Sequence, residues 1–296
     1  MNFLTMQQEL SDRVGSYDET DSSDSTKIKR WLNLAVQDVC SRQNWQFLEY
    51  HEIIQGVPDI TTGTVTISTN STALTFSSAP SVSVTDYFIQ FADTDNWYRI
   101  SSHTASSTSA TLSNAFGGSS NITAGAYTLR KLWYATSTPL DSIIYIKDTV
   151  NGKELTDLSP LVSDLLYPLY YDQGTPNGFI ASIPNSSGGI RISFVDSPSE
   201  KTNFQVKGIA KLSDMSSDSD TSLIPTRWHS TVLDMAAFYA FSSVGDPRAT
   251  NFYNKAEKGI QSMAETFSYS LGRHRVVRSL EDNLQTGPAY SLPPEY

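Results

Sequence analysis

The chain has 296 residues, room for about two compact units at roughly 150 residues each. Lys and Arg total 21 against 31 Asp and Glu, a formal charge of -10, which excludes a whole-protein basic footprint for gripping nucleic acid or an acidic membrane. A single cysteine, Cys40, excludes an intrachain disulfide and any multi-cysteine metal site.

Only 18% of residues are charged, so the polar surface must come from elsewhere, and Ser plus Thr supply roughly a quarter of the chain, well above ordinary usage. The first residues, MNFLTMQQEL, lack the basic and apolar regions of a signal peptide. No run approaches the roughly 18 apolar residues of a membrane span. The expectation is a soluble product made in a cytosol.

Thr5 followed by Gln8 has capping-box spacing and Gly15 suits a C-cap, which predicts a helix over 5–14 with Phe3, Met6, Leu10 and Val14 on its apolar side. An acidic, Ser-rich loop follows over 17–25. Ile28, Trp31, Leu32, Ala35, Val36, Val39 and Cys40 then recur at three- and four-residue steps, predicting an amphipathic helix that ends near Arg42. On that apolar face Cys40 reads as a small hydrophobe, not a reactive thiol.

From Thr61 to Ser137 the pattern becomes six short alternating segments: GTVTIS, TALTFS, DYFIQFA, NWYRIS, SATLS and AYTLRKLWY. Their Thr, Val, Ile and aromatic content between Ser, Gly, Asn and Pro clusters predicts a small barrel or sandwich. Trp97, Tyr98, Tyr127, Trp133 and Tyr134 fit core filling better than a sugar-stacking platform. More strands are predicted in IIYIKD, GFIASI, GIRISFV and NFQVKGIAK, with a short helix starting at Ser159-Pro160 and kinked or ended by Pro168. Residues 214–222 form a second acidic loop.

Trp228, Val232, Met235, Ala236 and Tyr239 mark a helix that stops at Gly245. After a two-residue turn at Asp246-Pro247 comes another, with Phe252, Tyr253, Ala256, Ile260, Met263, Ala264 and Phe267 on one side and Gly272 at its end. This antiparallel pair is expected to pack on the 28–42 helix. The predicted fold class is α+β: a helical hub (1–58 and 214–271) carrying an inserted β-barrel or sandwich (59–137), a β-rich segment with a short helix (138–213) and an extended C-terminal arm (272–296).

Four histidines, at 51, 103, 229 and 274, sit in no recognisable catalytic motif. Nucleophile elbow, phosphate loop, dinucleotide and zinc-protease signatures are all missing. The residues therefore read as those of a non-enzyme without metal or cofactor. The one concentrated basic run, Arg273, His274, Arg275, Val276, Val277 and Arg278, lies mostly past Gly272, where a helix dipole has faded. It reads as a segment that docks on an acidic partner.

The order of segments carries a resemblance. A helix with WLNLAVQDV and NWQF just after it is followed by a Ser/Thr-rich insertion with NWYRI. Then come FVDSPS, LSDMSSDSDTSLIPTRWH and a closing helix pair joined by GDPRA. Over residues 1–271 this is similar to the head-to-tail adaptor, or connector ring, proteins of tailed bacteriophages. The resemblance implies a ring of typically about twelve copies at the virion neck, joining the portal protein to a downstream neck or tail protein. Double-stranded genomic DNA would pass through without tight binding, and the protein would be synthesised in the host bacterial cytoplasm. On this reading Asp18, Glu19, Asp21, Asp24, Asp214, Asp218 and Asp220 are lumen or rim acids, since a negative wall repels phosphates. Residues 273–278 contact the portal or a neighbouring subunit. Alternatives are a tail terminator or gatekeeper ring and a carbohydrate-binding receptor-recognition protein.

Overall fold

The computed structural model describes the chain except Ser16, Glu19, Asp93, residues 160–171, 183–188 and 286–296, and the side chains of residues 268–285. It is a mixed α+β structure that divides into two units, residues 1–48 with 212–296 and residues 49–211. The first is helical and uses both ends of the chain.

Helix α1 (Phe3–Val14) starts two residues earlier than the Thr5 spacing suggests. Asn2 is the cap: its Oδ1 accepts from the Thr5 amide at 2.9 Å and the Thr5 hydroxyl at 2.7 Å, meeting a donor that the helix itself leaves unpaired. Gly15 ends it at φ 67°, its amide bonding Ser11 O, a conformation favouring glycine. Helix α2 (Ser22–Ser41) is capped by Asp21, which accepts from the amides of Ser23 and Asp24, and buries the full apolar stripe expected of it.

Helices α3 (His229–Ser243) and α4 (Arg248–Gln285) form the antiparallel pair, joined by residues 244–247, two more than expected. Phe241 stacks on Phe252 with centroids 5.2 Å apart. Farther along, Gly259 faces Thr231 so closely that any Cβ would collide with the threonine hydroxyl, which sets how near α3 and α4 approach. Asp38 of α2 joins the pair, accepting from Arg42 Nε at 2.9 Å and Tyr239 Oη at 3.1 Å, while Arg42 reaches Glu257 at 3.2 Å. Trp45, fully buried after α2, packs against Phe47 and Phe267.

One expectation fails at the end of α4. Gly272 does not stop it, and the backbone stays helical to Gln285, so 272–285 is not an extended arm. A glycine inside a helix costs only about 1 kcal/mol relative to alanine, which the Leu, Arg and Glu residues around it tolerate. Residues 286–296 of the expected arm lie outside the described residues.

In the second unit, β2 (Val65–Ile67), β3 (Ala73–Phe76), β4 (Phe88–Phe91), β5 (Trp97–His103), β6 (Ser109–Leu112), β7 (Ile122–Gly125) and β8 (Tyr127–Arg130) pair in the order β7-β2-β3-β6-β5-β4-β8. The two edge strands are separated only by Ala126, so the sheet curls into a nearly closed barrel. Residues from Val65 to Leu129 fill it, among them the fully buried Ile89, Phe91, Ile100 and Leu129. Seven strands are present where six were expected, β7 being the addition.

Strand β1 (Glu49–Gly56) lies in the stretch assigned to the helices from sequence. It pairs instead with β15 (Thr202–Ala210), whose other edge takes β9 (Leu140–Asp148), and all three are antiparallel. Ile54, Ile146, Phe204 and Val206 supply the buried face. Strands β10 (Thr156–Asp157), β12 (Gly178–Ser182) and β13 (Arg191–Val195) make a second small sheet, and β11 (Gln173–Gly174) pairs with β14 (Ser197–Pro198). The helix expected from Ser159-Pro160 onward lies outside the described residues.

Candidate functional site

The described acidic residues among those singled out from sequence fall at two places in the helical unit, each with a local partner. Asp18 accepts from the Thr20 hydroxyl and amide, and that bonding holds its pKa below the usual carboxylate value. Asp21 caps α2; the Ser23 hydroxyl and the two amides lower its pKa. Asp24 pairs with Lys27 at 3.0 Å in the first turn, where a negative charge suits the helix dipole. Glu19 lies outside the described residues.

The second acidic segment, 214–222, runs beside α2 and the start of α1. Asp214 accepts from Gln37 at 2.6 Å, and Asn33 exchanges two hydrogen bonds with the Met215 backbone, both at 3.0 Å. Asp218 meets Lys29 at 3.4 Å. Lys29, Asn33 and Gln37 are spaced by four, so one ridge of α2 holds the loop. Asp220 closes the loop's own turn by accepting from the Ser216 and Ser217 amides, which lower its pKa, while its carbonyl receives the Phe3 amide at 2.7 Å. Among the described residues no hydrogen bond or ion pair joins the two acidic segments to each other.

The basic run Arg273, His274, Arg275, Val276, Val277 and Arg278 lies within α4, its side chains outside the described residues. At 38 residues and 1.5 Å per residue, α4 is about 57 Å long, against about 22 Å for its 15-residue partner α3. The run therefore sits on the part of α4 that overshoots the hairpin. Elsewhere in the unit Leu4, Leu34 and Leu223 keep more than a third of their surface exposed.

The remaining candidates resolve individually. Cys40 is buried and its pKa is pushed up to about 12 by desolvation, so the thiolate that reactivity requires is inaccessible. Tyr127 and Tyr134 are buried, whereas Trp97, Tyr98 and Trp133 are half-buried. The Trp133 ring centre lies 5.5 Å from the guanidinium of Arg99 and 4.6 Å from that of Arg191, and the Trp97 ring lies 5.1 Å from that of Arg130. These arginine contacts were not legible in the alternation of the strands. Among the described residues no group of three or more His, Cys, Asp or Glu side chains could hold a metal ion, and no helix is long and apolar enough to cross a membrane.

His229, at the start of α3, is 2% exposed; its Nε2 lies 2.9 Å from Ile224 O, and its Nδ1 has no partner among the described residues. Burial lowers its pKa from 6.5, the nearby N-terminal amine adds to this, and the Ile224 carbonyl and Glu9 oppose it. A base whose folded-state pKa is depressed binds protons more readily when unfolded. Its stabilisation is complete above the unfolded value of 6.5 and is lost as pH falls toward the folded value. Melting curves of the helical unit should thus shift to lower temperature on acidification from 6.5, and His229→Gln should flatten that slope. An unchanged slope in the variant would reject the assignment.

No protein-family model matches this chain, and neither does any curated protein sequence.

Proposed function

We propose that the chain is the subunit of a connector ring that joins the portal of a bacteriophage capsid to its tail and lets genomic DNA pass through the lumen. The observation that carries this reading is the helical unit assembled from both chain ends, whose longest helix overshoots its partner and bears the basic run. A hub of this kind gives neighbours a broad helical surface, and Leu4, Leu34 and Leu223 are exposed side chains for head-to-tail contacts that close into a ring. The acidic loops supply negative charge suited to a wall along which DNA slides. The β unit meets other neck proteins, and the assembled ring resides in the virion.

Negative-stain imaging of the purified protein, alone and mixed with portal, tests this directly. Closed rings that cap the portal are the expected result; a monomer that ignores the portal overturns it. Deleting residues 272–296 should leave the melting behaviour of both units intact while abolishing the joining of heads to tails, because the deletion removes the overshoot and spares Trp45, Phe241 and Met263 in the core. Wild-type joining by the truncated chain would remove the basic run from the account. A ring seen on tails and not on portals would select the tail-terminator or gatekeeper alternative.

A further inference from the structure

The β unit contains a cleft of about 750 Å³ between residues 55–62, the loop 78–85 and the barrel strand β8. Such a volume holds a small organic ligand and is several times larger than a bare inorganic anion needs. Its lining is chemically uneven. Lys131 and Lys201 both face it, and neither has an ion-pair partner among the described residues. The one carboxylate in the lining, Asp59, is already neutralised: Arg130 Nε lies 2.9 and 3.1 Å from its two oxygens and Nη2 lies 2.5 Å from one. The cleft is thus a positive spot in a chain of charge -10.

Lys131 is half-buried with its ammonium 4.7 Å from the Tyr134 ring centre, and that burial lowers its pKa. A desolvated ammonium without a carboxylate is a cost that an incoming anion offsets. Around the two lysines, the partly exposed Val57, Pro58, Ile60 and Val82 present apolar surface, interspersed with the hydroxyls of Thr62 and Ser81, while the rings of Tyr87 and Tyr127 are buried beneath as part of the barrel core. Apolar side chains, hydroxyls and cations together match the C–H faces, hydroxyls and acid group of a charged pyranose.

The walls are also held in place before any ligand arrives. His103 fastens the loop, its Nδ1 accepting from the Val84 amide at 3.2 Å and its carbonyl accepting from the Ser83 and Thr85 hydroxyls at 2.9 and 3.1 Å. On the opposite side, Tyr127 Oη donates to Thr62 O at 2.8 Å. A preformed site avoids the entropy of ordering its loops on binding.

We propose that this cleft binds an acidic saccharide, a pyranose carrying a carboxylate or phosphate, with Lys131 and Lys201 on the acid group and Val57, Pro58, Ile60 and Val82 against the ring. This site stands whether or not the chain forms a connector ring. Titration calorimetry of the full chain with glucuronate, glucose 6-phosphate, glucose and inorganic phosphate tests it. At least one acidic sugar should bind with a dissociation constant of about 1 mM or tighter, with glucose and phosphate at least about tenfold weaker. Lys131→Gln should weaken that binding about tenfold, the loss of one charge-assisted contact. Lys201→Gln alters an exposed residue, so it gives a second reading should Lys131→Gln fail to fold. A carboxylate or phosphate preference identifies which acid the site takes. The proposal is overturned if neither acidic sugar binds at about 20 mM, if glucose or phosphate binds as tightly, or if binding survives the lysine substitutions.

Discussion

Replacing Asp59 with alanine is expected to destabilise the β unit by about 3–5 kcal/mol, the usual penalty for removing one partner of a buried ion pair. The side chains of Asp59 and Arg130 are only 7% and 10% exposed, so neither can turn to water when the other is lost. The Arg130 guanidinium also lies 5.1 Å from the Trp97 ring, which fixes it in place. Asp59→Ala therefore leaves a cation among apolar neighbours, whereas the double substitution Asp59→Ala with Arg130→Met removes both charges and should regain most of the loss. Urea unfolding followed by circular dichroism measures both variants. A single-variant loss below about 1 kcal/mol would mean that the pair behaves like a solvent-exposed one.

The second large effect belongs to the helical unit. Trp45→Ala should cost about 3–5 kcal/mol, because a fully buried indole leaves a cavity that its neighbours cannot fill. A polar loss adds to this. Trp45 Nε1 donates to Val39 O at 2.7 Å, and Val39 lies within the last four residues of α2, whose carbonyls have no partner inside the helix. Trp45→Phe restores most of the volume and the contacts with Phe47 and Phe267 but not the hydrogen bond, so its loss should be the smaller by at least 1 to 2 kcal/mol. Equal losses for the two variants would show that packing is not what Trp45 supplies.

The helices were legible because their buried residues recur at a regular step: Ile28, Trp31, Leu32, Ala35, Val36 and Val39 are all buried in α2. Helix ends were less so. Asn2 caps α1 through a side-chain contact that a single residue type cannot announce, and Gly272 looks like a stop until the helix continues through it. Strand β7 escaped notice because Ile122–Gly125 is four residues long with one buried position and a glycine. Strand β1 escaped for a different reason: its partner β15 lies about 150 residues further along, and a strand with such a remote partner leaves only a weak local pattern.

The same distance in sequence hid the site geometry. Asp214 and Asp218 could be marked as a Ser-rich acidic loop, but the Gln37 and Lys29 groups that hold it are visible only once α2 and the loop lie side by side. Lys131 and Lys201 are 70 positions apart, and nothing in either neighbourhood suggests that they share a cleft. His103 reads as an isolated strand histidine, yet it pins a loop 20 residues upstream. In each case the chemistry depends on residues that sequence order keeps apart.

The split construction of the helical unit has a consequence for synthesis. A nascent chain emerging from the ribosome presents α1 and α2 first, but their buried faces must wait for residues 229–263 before that core can close. The intervening β unit is translated in full during that delay and can pack ahead of the helices, as whole domains do. A message cut short after residue 211 would thus yield a well-packed β body attached to two unsatisfied helices. Only a translation product that reaches the last helix can close the helical core, so completion of the polypeptide acts as a proofreading step on the fold itself.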